Sequence, residues 1–429
     1  MSQTHHLARR ADEHLEELGR LTDTAGANVV AVLIQRLGAP HPRYFIGEGK
    51  AKQLKAVVKE REATVVIFDD ELSPAQGKNL EDLLELRVVD RTELILDIFA
   101  TRARTNEAQL QVELAQLEYL LPRLKRMWTH LSRIRGGIGL RGPGETQLET
   151  DRRIISRRIS DLKDKLEVVA RRRATQRKGR KGEFQAALVG YTNAGKSSIL
   201  RALSGSELFI EDRLFATLDP ATRKVELPMG STVLITDTVG FIRKLPHHLV
   251  ASFRATLEEA AEADLLLHAI DGSHPGWEEQ KRVVEEVLRE LDLDEVPVAL
   301  VFNKIDQLTH DEEEALRARV HATFPEPAAF TSTVEREGLA ELIGLLEDQV
   351  RRGGIFVRTT QTFVANELVT LVFRPAFTRT SLEAQARLAA WRAQHGGELV
   401  RIAVARAEPL CDLTTLRPQL DVLQYSGRK

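Results

Sequence analysis

The sequence is poor in cysteine: Cys411 is the only one among 429 residues, so no disulfide can form within the chain. A lone thiol fits a reducing compartment such as the cytoplasm. No apolar run approaches the roughly 20 residues that a membrane-spanning helix needs. Residues 1–20 are polar and charged, unlike a secretory signal. We therefore expect a cytoplasmic protein without a membrane span.

The composition is that of a folded, soluble protein, with 42% apolar and 29% charged residues. The length predicts two to four domains. The net charge of −2 conceals an asymmetry, because residues 120–183 hold 19 basic and 7 acidic side chains. A basic segment on an acidic body indicates a polyanionic partner, most commonly nucleic acid.

Strand and helix patterns alternate over residues 1–104, which predicts a small N-terminal domain with a parallel α/β fold. The predicted strands are Val29–Gln35, Thr64–Phe68 and Arg87–Asp90. Helices are expected after the Tyr44–Lys50 loop, from Ser73-Pro74, and from Thr92. The glycines of the Tyr44–Lys50 loop can serve either an anion site or a purely structural turn.

Residues 105–178 carry the apolar spacing of a coiled coil, which predicts two long antiparallel helices. The apolar positions are Leu110, Leu114, Leu117, Leu121, Leu124, Trp128 and Leu131, then Ile155, Ile159, Leu162, Leu166 and Val169. A glycine-rich tip at 134–145 separates the two helices, and Thr146–Glu149 reads as a capping box that starts the second. Pro122 predicts a kink or break in the first helix.

The tip and the second helix are rich in arginine, which predicts an arm that docks on a phosphate backbone. The expected RNA-contacting residues are Arg133, Arg135, Gly136, Gly137, Gly139, Arg141, Gly142, Gly144, Arg152 and Arg153. A solvated helix face followed by a basic linker is the alternative. Aromatic residues are scarce in this stretch, so stacking of single-stranded bases is poorly supported.

A phosphate-binding pattern, glycine followed by four residues and then Gly-Lys-Ser, lies between a predicted strand and a predicted helix. It comprises Gly190, Tyr191, Thr192, Asn193, Ala194, Gly195, Lys196 and Ser197, with Ser198 opening the helix. The glycines allow backbone N–H groups to face phosphate oxygens, and Lys196 reaches the β- and γ-phosphates. A glycine-rich turn without a ligand is the alternative interpretation.

Residues that follow this loop predict a bound metal ion and a triphosphate sensor. Ser197, Thr217 and Asp237 are the expected Mg²⁺ ligands, and the Gly240 N–H is expected to meet the γ-phosphate. Thr217 lies in a loop that is expected to act as a switch.

Asn303-Lys304-Ile305-Asp306 follows an apolar strand, and its Asp306 carboxylate can accept two N–H bonds from the guanine edge. Adenine lacks that donor pair, so GTP is favoured over ATP. Ser332 is expected to offer its backbone N–H to guanine O6. Together these motifs predict a GTPase domain over residues 184–352, with an α+β domain at 356–429.

The ordered motifs resemble those of the HflX family of ribosome-associated P-loop GTPases. The resemblance extends from Tyr44 to Arg352, and its most specific piece is the glycine-rich tip, Gly136–Glu149. It implies an α/β GTPase that is cytoplasmic and binds the large ribosomal subunit. Such a protein inserts the tip near the peptidyl-transferase centre and splits stalled ribosomes, and ribosomal RNA stimulates its hydrolysis of GTP.

The sequence departs from common GTPase patterns at two places. Phe241 stands where many GTPases place the glutamine that orients the attacking water, and its ring cannot form that hydrogen bond. In the loop after Ser332, Thr333 and Arg336 replace the family's usual alanine and glycine. Slow intrinsic turnover is expected, and the catalytic group is not identified.

Two other functions are compatible with the sequence. One is an RNA-binding scaffold with GTP as a regulatory ligand, and the other is an RNA-remodelling NTPase that uses the arm. The apolar seam can be satisfied within one chain, so a monomer is expected.

Overall fold

The computed structural model describes residues 2–127, 143–178, 183–205, 214–215, 217–244, 260–353, 355–357 and 404–406. The helices and strands alternate along most of this length, as expected for an α/β protein. The tip residues 128–142 and most of the predicted C-terminal domain lie outside the described part, as does Cys411. No helix within these ranges is long and apolar enough to cross a membrane.

The N-terminal region contains four helices and two strands. They are α1 Ser2–Thr24, α2 Glu48–Glu60, β1 Val65–Phe68, α3 Pro74–Leu84, β2 Arg87–Asp90 and α4 Arg91–Arg102. The two strands pair in parallel, with Val65 opposite Arg87 and Phe68 opposite Asp90. The Ser73 side chain accepts from the Gln76 N–H and Pro74 occupies the first turn, which explains why α3 begins there.

The predicted strand Val29–Gln35 is wrong, because this segment has no regular secondary structure and joins no sheet in the described structure. Val29, Val30, Val32 and Ile34 are more than half exposed. A strand needs a hydrogen-bonded neighbour as well as apolar residues, and β1 and β2 pair only with each other. Helix α1 was not predicted.

Two long helices follow and pack along each other: α5 Asn106–Met127 and α6 Pro143–Lys178. Leu162 is fully buried, and exposed ion pairs join Arg158 to Glu113 and Lys163 to Glu118. Helix α5 runs through Pro122 without a break. The second helix begins at Pro143, three residues before the predicted capping box, since proline is tolerated in a first turn.

A six-stranded sheet forms the rest of the described chain. Its strands are β3 Phe184–Gly190, β4 Ala221–Glu226, β5 Thr232–Asp237, β6 Leu265–Asp271, β7 Val298–Asn303 and β8 Ala328–Thr331. Its helices are α7 Lys196–Ser204, α8 Trp277–Glu290, α9 His310–Thr323 and α10 Leu339–Gly353. A short antiparallel pair, β9 Ile355–Val357 with β10 Val404–Arg406, completes the described elements.

The strand order is β4-β5-β3-β6-β7-β8, and only the edge strand β4 runs antiparallel. Parallel strands end at one edge of a sheet, so Gly190, Asp237, Asp271 and Asn303 meet there. That edge is where a ligand site is expected in an open α/β sheet.

One hydrophobic cluster joins the N-terminal helices to this sheet. It contains Ile98 and Phe99 of α4, Val112 of α5, and Ala187 and Val189 of β3. Helix α5 is therefore part of the same core as β3, the strand that ends at Gly190. The domain boundaries expected from the sequence stay a prediction.

Replacing Leu162 with alanine should destabilise the protein by about 2–4 kcal/mol, because a fully buried side chain would leave a cavity between α5 and α6. Ile154→Ala in the same helix is the matched control, since Ile154 is 61% exposed. It should change stability by less than about 0.5 kcal/mol. Urea unfolding followed by circular dichroism measures both, and equal shifts in the two variants would contradict the buried seam.

Candidate nucleotide-binding site

The phosphate-binding loop joins β3 to α7, as predicted from the sequence. Gly195 has a φ of +89°, and a Cβ atom built on it would lie 2.1 Å from Asn303 Nδ2. Glycine is therefore required at this position for both conformation and space. The loop is fixed at its far end by α7, which begins at Lys196.

Lys196 lies beneath this loop and is 6% exposed. Its Nζ donates to the carbonyl oxygens of Gly190 at 3.1 Å and Tyr191 at 3.0 Å. Burial lowers the pKa of Lys196 to about 8, while the nearby Asp237 carboxylate acts in the opposite direction. The ammonium is thus held against the backbone of the loop.

Three oxygen-bearing side chains meet beside the loop: Ser197, Thr217 and Asp237. Ser197 Oγ donates to Asp237 Oδ2 at 2.6 Å and lies 2.7 Å from Thr217 Oγ1. Burial raises the pKa of Asp237, and Lys196 and the hydroxyl hydrogen bonds lower it in part. These are the residues predicted to hold the metal, brought together from three separate stretches of chain.

The same cluster fits a magnesium ion. Asp237 Oδ1 is buried and finds no hydrogen-bond partner among the described residues. A buried carboxylate oxygen without a partner is unusual unless an ion or water completes it. Hydroxyl and carboxylate oxygens are the donors that Mg²⁺ prefers.

Phe241 is tied to the phosphate-binding loop by its backbone. Its N–H donates to the Gly190 carbonyl at 3.0 Å, and its own carbonyl accepts from the Thr192 N–H at 2.7 Å. The side chain is 2% exposed and belongs to the core cluster. The ring is therefore directed into the protein rather than toward a ligand. Gly240 lies so close that an added Cβ would meet Thr192 Cα at 2.7 Å.

Asn303 connects the two ends of the site. Its Nδ2 donates to the Ala194 carbonyl at 3.1 Å, and its Oδ1 accepts from Thr331 Oγ1 at 3.3 Å. Asn303 is 1% exposed, so its amide serves as an internal brace. Thr331 was not predicted, because a lone strand threonine carries no sequence signal.

Asp306, the residue predicted to recognise the base, is exposed, unlike the buried Asn303. Asp306 is exposed on the cavity wall, in the one-turn 3₁₀ helix Ile305–Gln307. Lys304 pairs with Asp271 at 2.7 Å between Nζ and Oδ2. Asp306 thus keeps its carboxylate available, as base recognition requires.

Ser332 does not offer the predicted free N–H. Its N–H donates to the Glu337 carbonyl at 3.0 Å, and its Oγ accepts from the Glu335 N–H at 3.0 Å. Thr333 and Val334 line the cavity instead. Arg336 has a φ of +59°, a left-handed conformation that glycine adopts more readily than other residues.

A cavity of about 790 Å³ connects these groups. Of the predicted site residues it is lined by Thr192, Asn193, Gly195, Lys196, Ser197, Ser198, Thr217, Gly240, Asn303, Lys304 and Asp306. Gly190, Tyr191, Ala194, Asp237 and Ser332 do not line it. The volume and the polar lining suit a nucleotide.

Helix α1 contributes unpredicted residues to this cavity: Arg20, Asp23 and Thr24. The helix is held there by the Tyr191 hydroxyl, which donates to Glu17 and accepts from the Arg243 N–H at 3.0 Å. Burial and the Glu17 carboxylate raise the pKa of Tyr191. Only the amphipathic spacing of Leu15, Leu18 and Leu21 could have indicated this helix from the sequence.

The predicted RNA-contacting residues are only partly described. Arg133, Arg135, Gly136, Gly137, Gly139, Arg141 and Gly142 lie outside the described residues. Gly144 lies in the first turn of α6, and Arg152 and Arg153 are exposed on that helix.

Four stretches of the chain match family models. Residues 12–100 match "GTP-binding GTPase N-terminal", 102–180 match "GTP-binding GTPase Middle Region", and 185–304 match "50S ribosome-binding GTPase". Residues 360–429 match "Precorrin methyltransferase domain", and this stretch lies outside the described residues except at Val404–Arg406.

Several curated proteins described as "GTPase HflX" are similar over most of the chain. The protein from Caldanaerobacter subterraneus subsp. tengcongensis is 54% identical over 299 residues, covering 69% of this chain and 70% of its own. That of Escherichia coli K12 is 53% identical, with 69% and 70% covered. That of Flavobacterium psychrophilum is 49% identical over 319 residues, with 73% and 77% covered.

Among solved structures, a GTP-binding protein from Sulfolobus solfataricus in complex with GDP is 26% identical. The match covers 79% of this chain and 95% of that chain, with a TM-score of 0.42.

Asp306→Asn should weaken the preference for GDP over ADP by on the order of 10- to 100-fold, because a charged acceptor of two N–H bonds is lost. Competition binding with the two nucleotides measures this preference. Asp311→Asn is the matched control, since Asp311 is also exposed but does not line the cavity. An unchanged preference in Asp306→Asn would contradict the base assignment.

Affinity for GDP should fall as the pH rises from about 7 to about 9, because free Lys196 loses its proton near pH 8 and must regain it to bind phosphate. Calorimetry in two buffers of different ionisation enthalpy should show proton uptake on binding that grows with pH. Lys196→Ala should bind weakly without this uptake. Binding free of proton uptake at about pH 8.5 would contradict the lowered pKa.

Proposed function

The chain belongs to the GTPase HflX family, and from this membership we propose that it binds the large ribosomal subunit and splits stalled ribosomes into subunits. In this proposal GTP is the substrate, and the ribosome stimulates its hydrolysis. The protein acts as a monomer in the cytoplasm during stress. The chain is divided as its sequence predicts: an N-terminal domain, an arm, a GTPase domain and a small C-terminal domain.

The GTPase site works through positioning and charge. Lys196 and the loop N–H groups hold the β- and γ-phosphates, and Asp306 reads guanine. Ser197, Thr217 and Asp237 hold Mg²⁺, which when bound offsets negative charge on the phosphates. The Gly240 N–H meets the γ-phosphate, so that residues 240–244 respond to hydrolysis.

Intrinsic hydrolysis is slow in this proposal. Phe241 is buried with its backbone paired to Gly190 and Thr192, so it cannot orient a water molecule. A ribosomal group or another part of the chain supplies that function on the large subunit.

The single observation that carries the proposal is the core shared by the arm and the nucleotide site. Ala108 and Val112 of α5 are buried in the same cluster as Ala187 and Val189 of β3, the strand that ends at the phosphate-binding loop. Exposed basic residues lie further along α6, at Arg152, Arg153, Arg157 and Arg172. Helix α6 packs along α5, so its basic surface is connected through α5 to the core of the GTPase domain. This connection lets the nucleotide site act on bound ribosomal RNA.

The glycine-rich tip is the part proposed to enter the ribosome near the peptidyl-transferase centre. Its glycines and arginines allow close approach to RNA backbone without a fixed side-chain shape.

The burial of Phe241 also favours one alternative, an RNA-binding scaffold that uses GTP as a regulatory ligand. Such a scaffold would bind large subunits without any increase in GTP turnover.

Deleting residues 136–142 should abolish ribosome splitting while leaving GTP affinity within about twofold, since α6 keeps its first residue, Pro143. Sucrose gradients of purified ribosomes with the protein and GTP, GDP or a non-hydrolysable analogue measure splitting. GTP turnover with and without large subunits is measured in parallel.

The double variant Arg152→Ala, Arg153→Ala tests the helix separately from the tip. It should weaken subunit binding and reduce the dependence of that binding on salt concentration.

Splitting by the deletion variant at the wild-type rate would reject the role of the tip. Subunit binding by wild type without stimulated turnover would select the scaffold.

A further inference from the structure

Asp219 lies two residues after Thr217. Thr217 contacts Ser197 beside the phosphate-binding loop, whereas Asp219 contacts the residues just before α5. Asp219 Oδ2 accepts from the backbone N–H groups of Arg104 at 3.1 Å and Thr105 at 3.2 Å. Its Oδ1 is hydrogen-bonded to the Thr105 hydroxyl. A single carboxylate therefore receives three hydrogen bonds from the residues that precede α5.

These contacts form part of the N-terminal cap of α5. Thr105 Oγ1 accepts from the Ala108 N–H at 3.2 Å, which makes Thr105 the capping residue of the helix. The first N–H groups of a helix have no partner within it, and its N-terminal end attracts negative charge. Asp219 supplies that charge from more than 100 residues away in the sequence.

The chain between Thr217 and Asp219 has little freedom. Leu218 is 2% exposed and shares the core cluster with Phe99 and Phe215. Two residues span at most about 7 Å. Thr217 meets Ser197 and Asp237 at the start of this short link, and Asp219 meets the arm at its end.

We propose that Asp219 is a positioning residue that couples Thr217 to the start of the arm helix α5. The proposal rests on the metal-binding role of Thr217 in the proposed function. A ligand that holds Thr217 in place then favours the capped helix. By reciprocity, the capped helix favours that ligand, so the cap raises the preference for GTP over GDP.

The coupling is measured on the full chain without ribosomes, as the ratio of dissociation constants for GDP and a non-hydrolysable GTP analogue. Asp219→Ala should lower the preference for the analogue by about fivefold. Thr105→Ala, on the arm side, should lower it by less, because the backbone N–H bonds to Asp219 remain. Asp219→Asn should keep part of the preference, since its amide oxygen can still accept from the backbone N–H groups of Arg104 and Thr105 while the negative charge is lost.

A cap elsewhere in the chain provides the matched control. Ser73 caps α3 in the N-terminal region, and its side chain accepts from the Gln76 N–H. Ser73→Ala should lower the thermal midpoint as a lost cap does, without changing nucleotide preference. Thermal unfolding of every variant separates loss of coupling from loss of fold.

An unchanged preference in Asp219→Ala, with wild-type unfolding, would overturn the proposal. So would additive effects of Asp219→Ala and Thr105→Ala in the double variant, because one shared contact cannot be lost twice. Thr217→Ala distinguishes failure of the proposed coupling from failure of the proposed metal-binding role of Thr217. If it removes the preference while Asp219→Ala does not, only the coupling fails. If Thr217→Ala leaves the preference unchanged, the proposed function of the site fails as well.

Discussion

The packing of one hydrophobic cluster determines how the parts of this protein relate to each other. Residues of α1, α4 and α5 are buried together with β3 and the residues around Phe215 and Phe241. Each of these elements leaves an apolar face that only the others cover, so none can shift alone without exposing apolar surface. The core that supports the phosphate-binding loop therefore includes residues of the N-terminal region.

The buried charges of the site depend on the same enclosure. Lys196 and Asp237 are both nearly inaccessible, and burial disfavours the charged form of each. Their mutual attraction offsets part of that penalty, as do the hydrogen bonds that Lys196 donates to the loop carbonyls and that Asp237 accepts from Ser197. A site of this kind is completed by ligand charge.

The elements around the phosphate-binding loop could be predicted from the sequence because their signals are local. A glycine pattern between a buried strand and a helix, and carboxylates that follow apolar strands, need no knowledge of distant contacts. Contacts between residues that are distant in the sequence could not be predicted in this way. Val29–Gln35 has the composition of a strand but finds no neighbour in the described structure, and the N–H of Ser332 is taken by Glu337. Likewise, Glu17 reaches Tyr191 across 174 positions, which no local pattern could show.

The brace formed by Asn303 has a consequence for how such a site can evolve. The Asn303 amide lies three residues before Asp306, the residue predicted to recognise the base. It donates to a carbonyl of the phosphate-binding loop, and only glycine fits opposite it at position 195. Substitutions that move the end of β7 to change which base is accepted would also disturb the phosphate-binding loop, because Asn303 contacts both. Diversification of the base pocket is therefore confined to residues beyond the brace, while Asn303 and Gly195 must be inherited together.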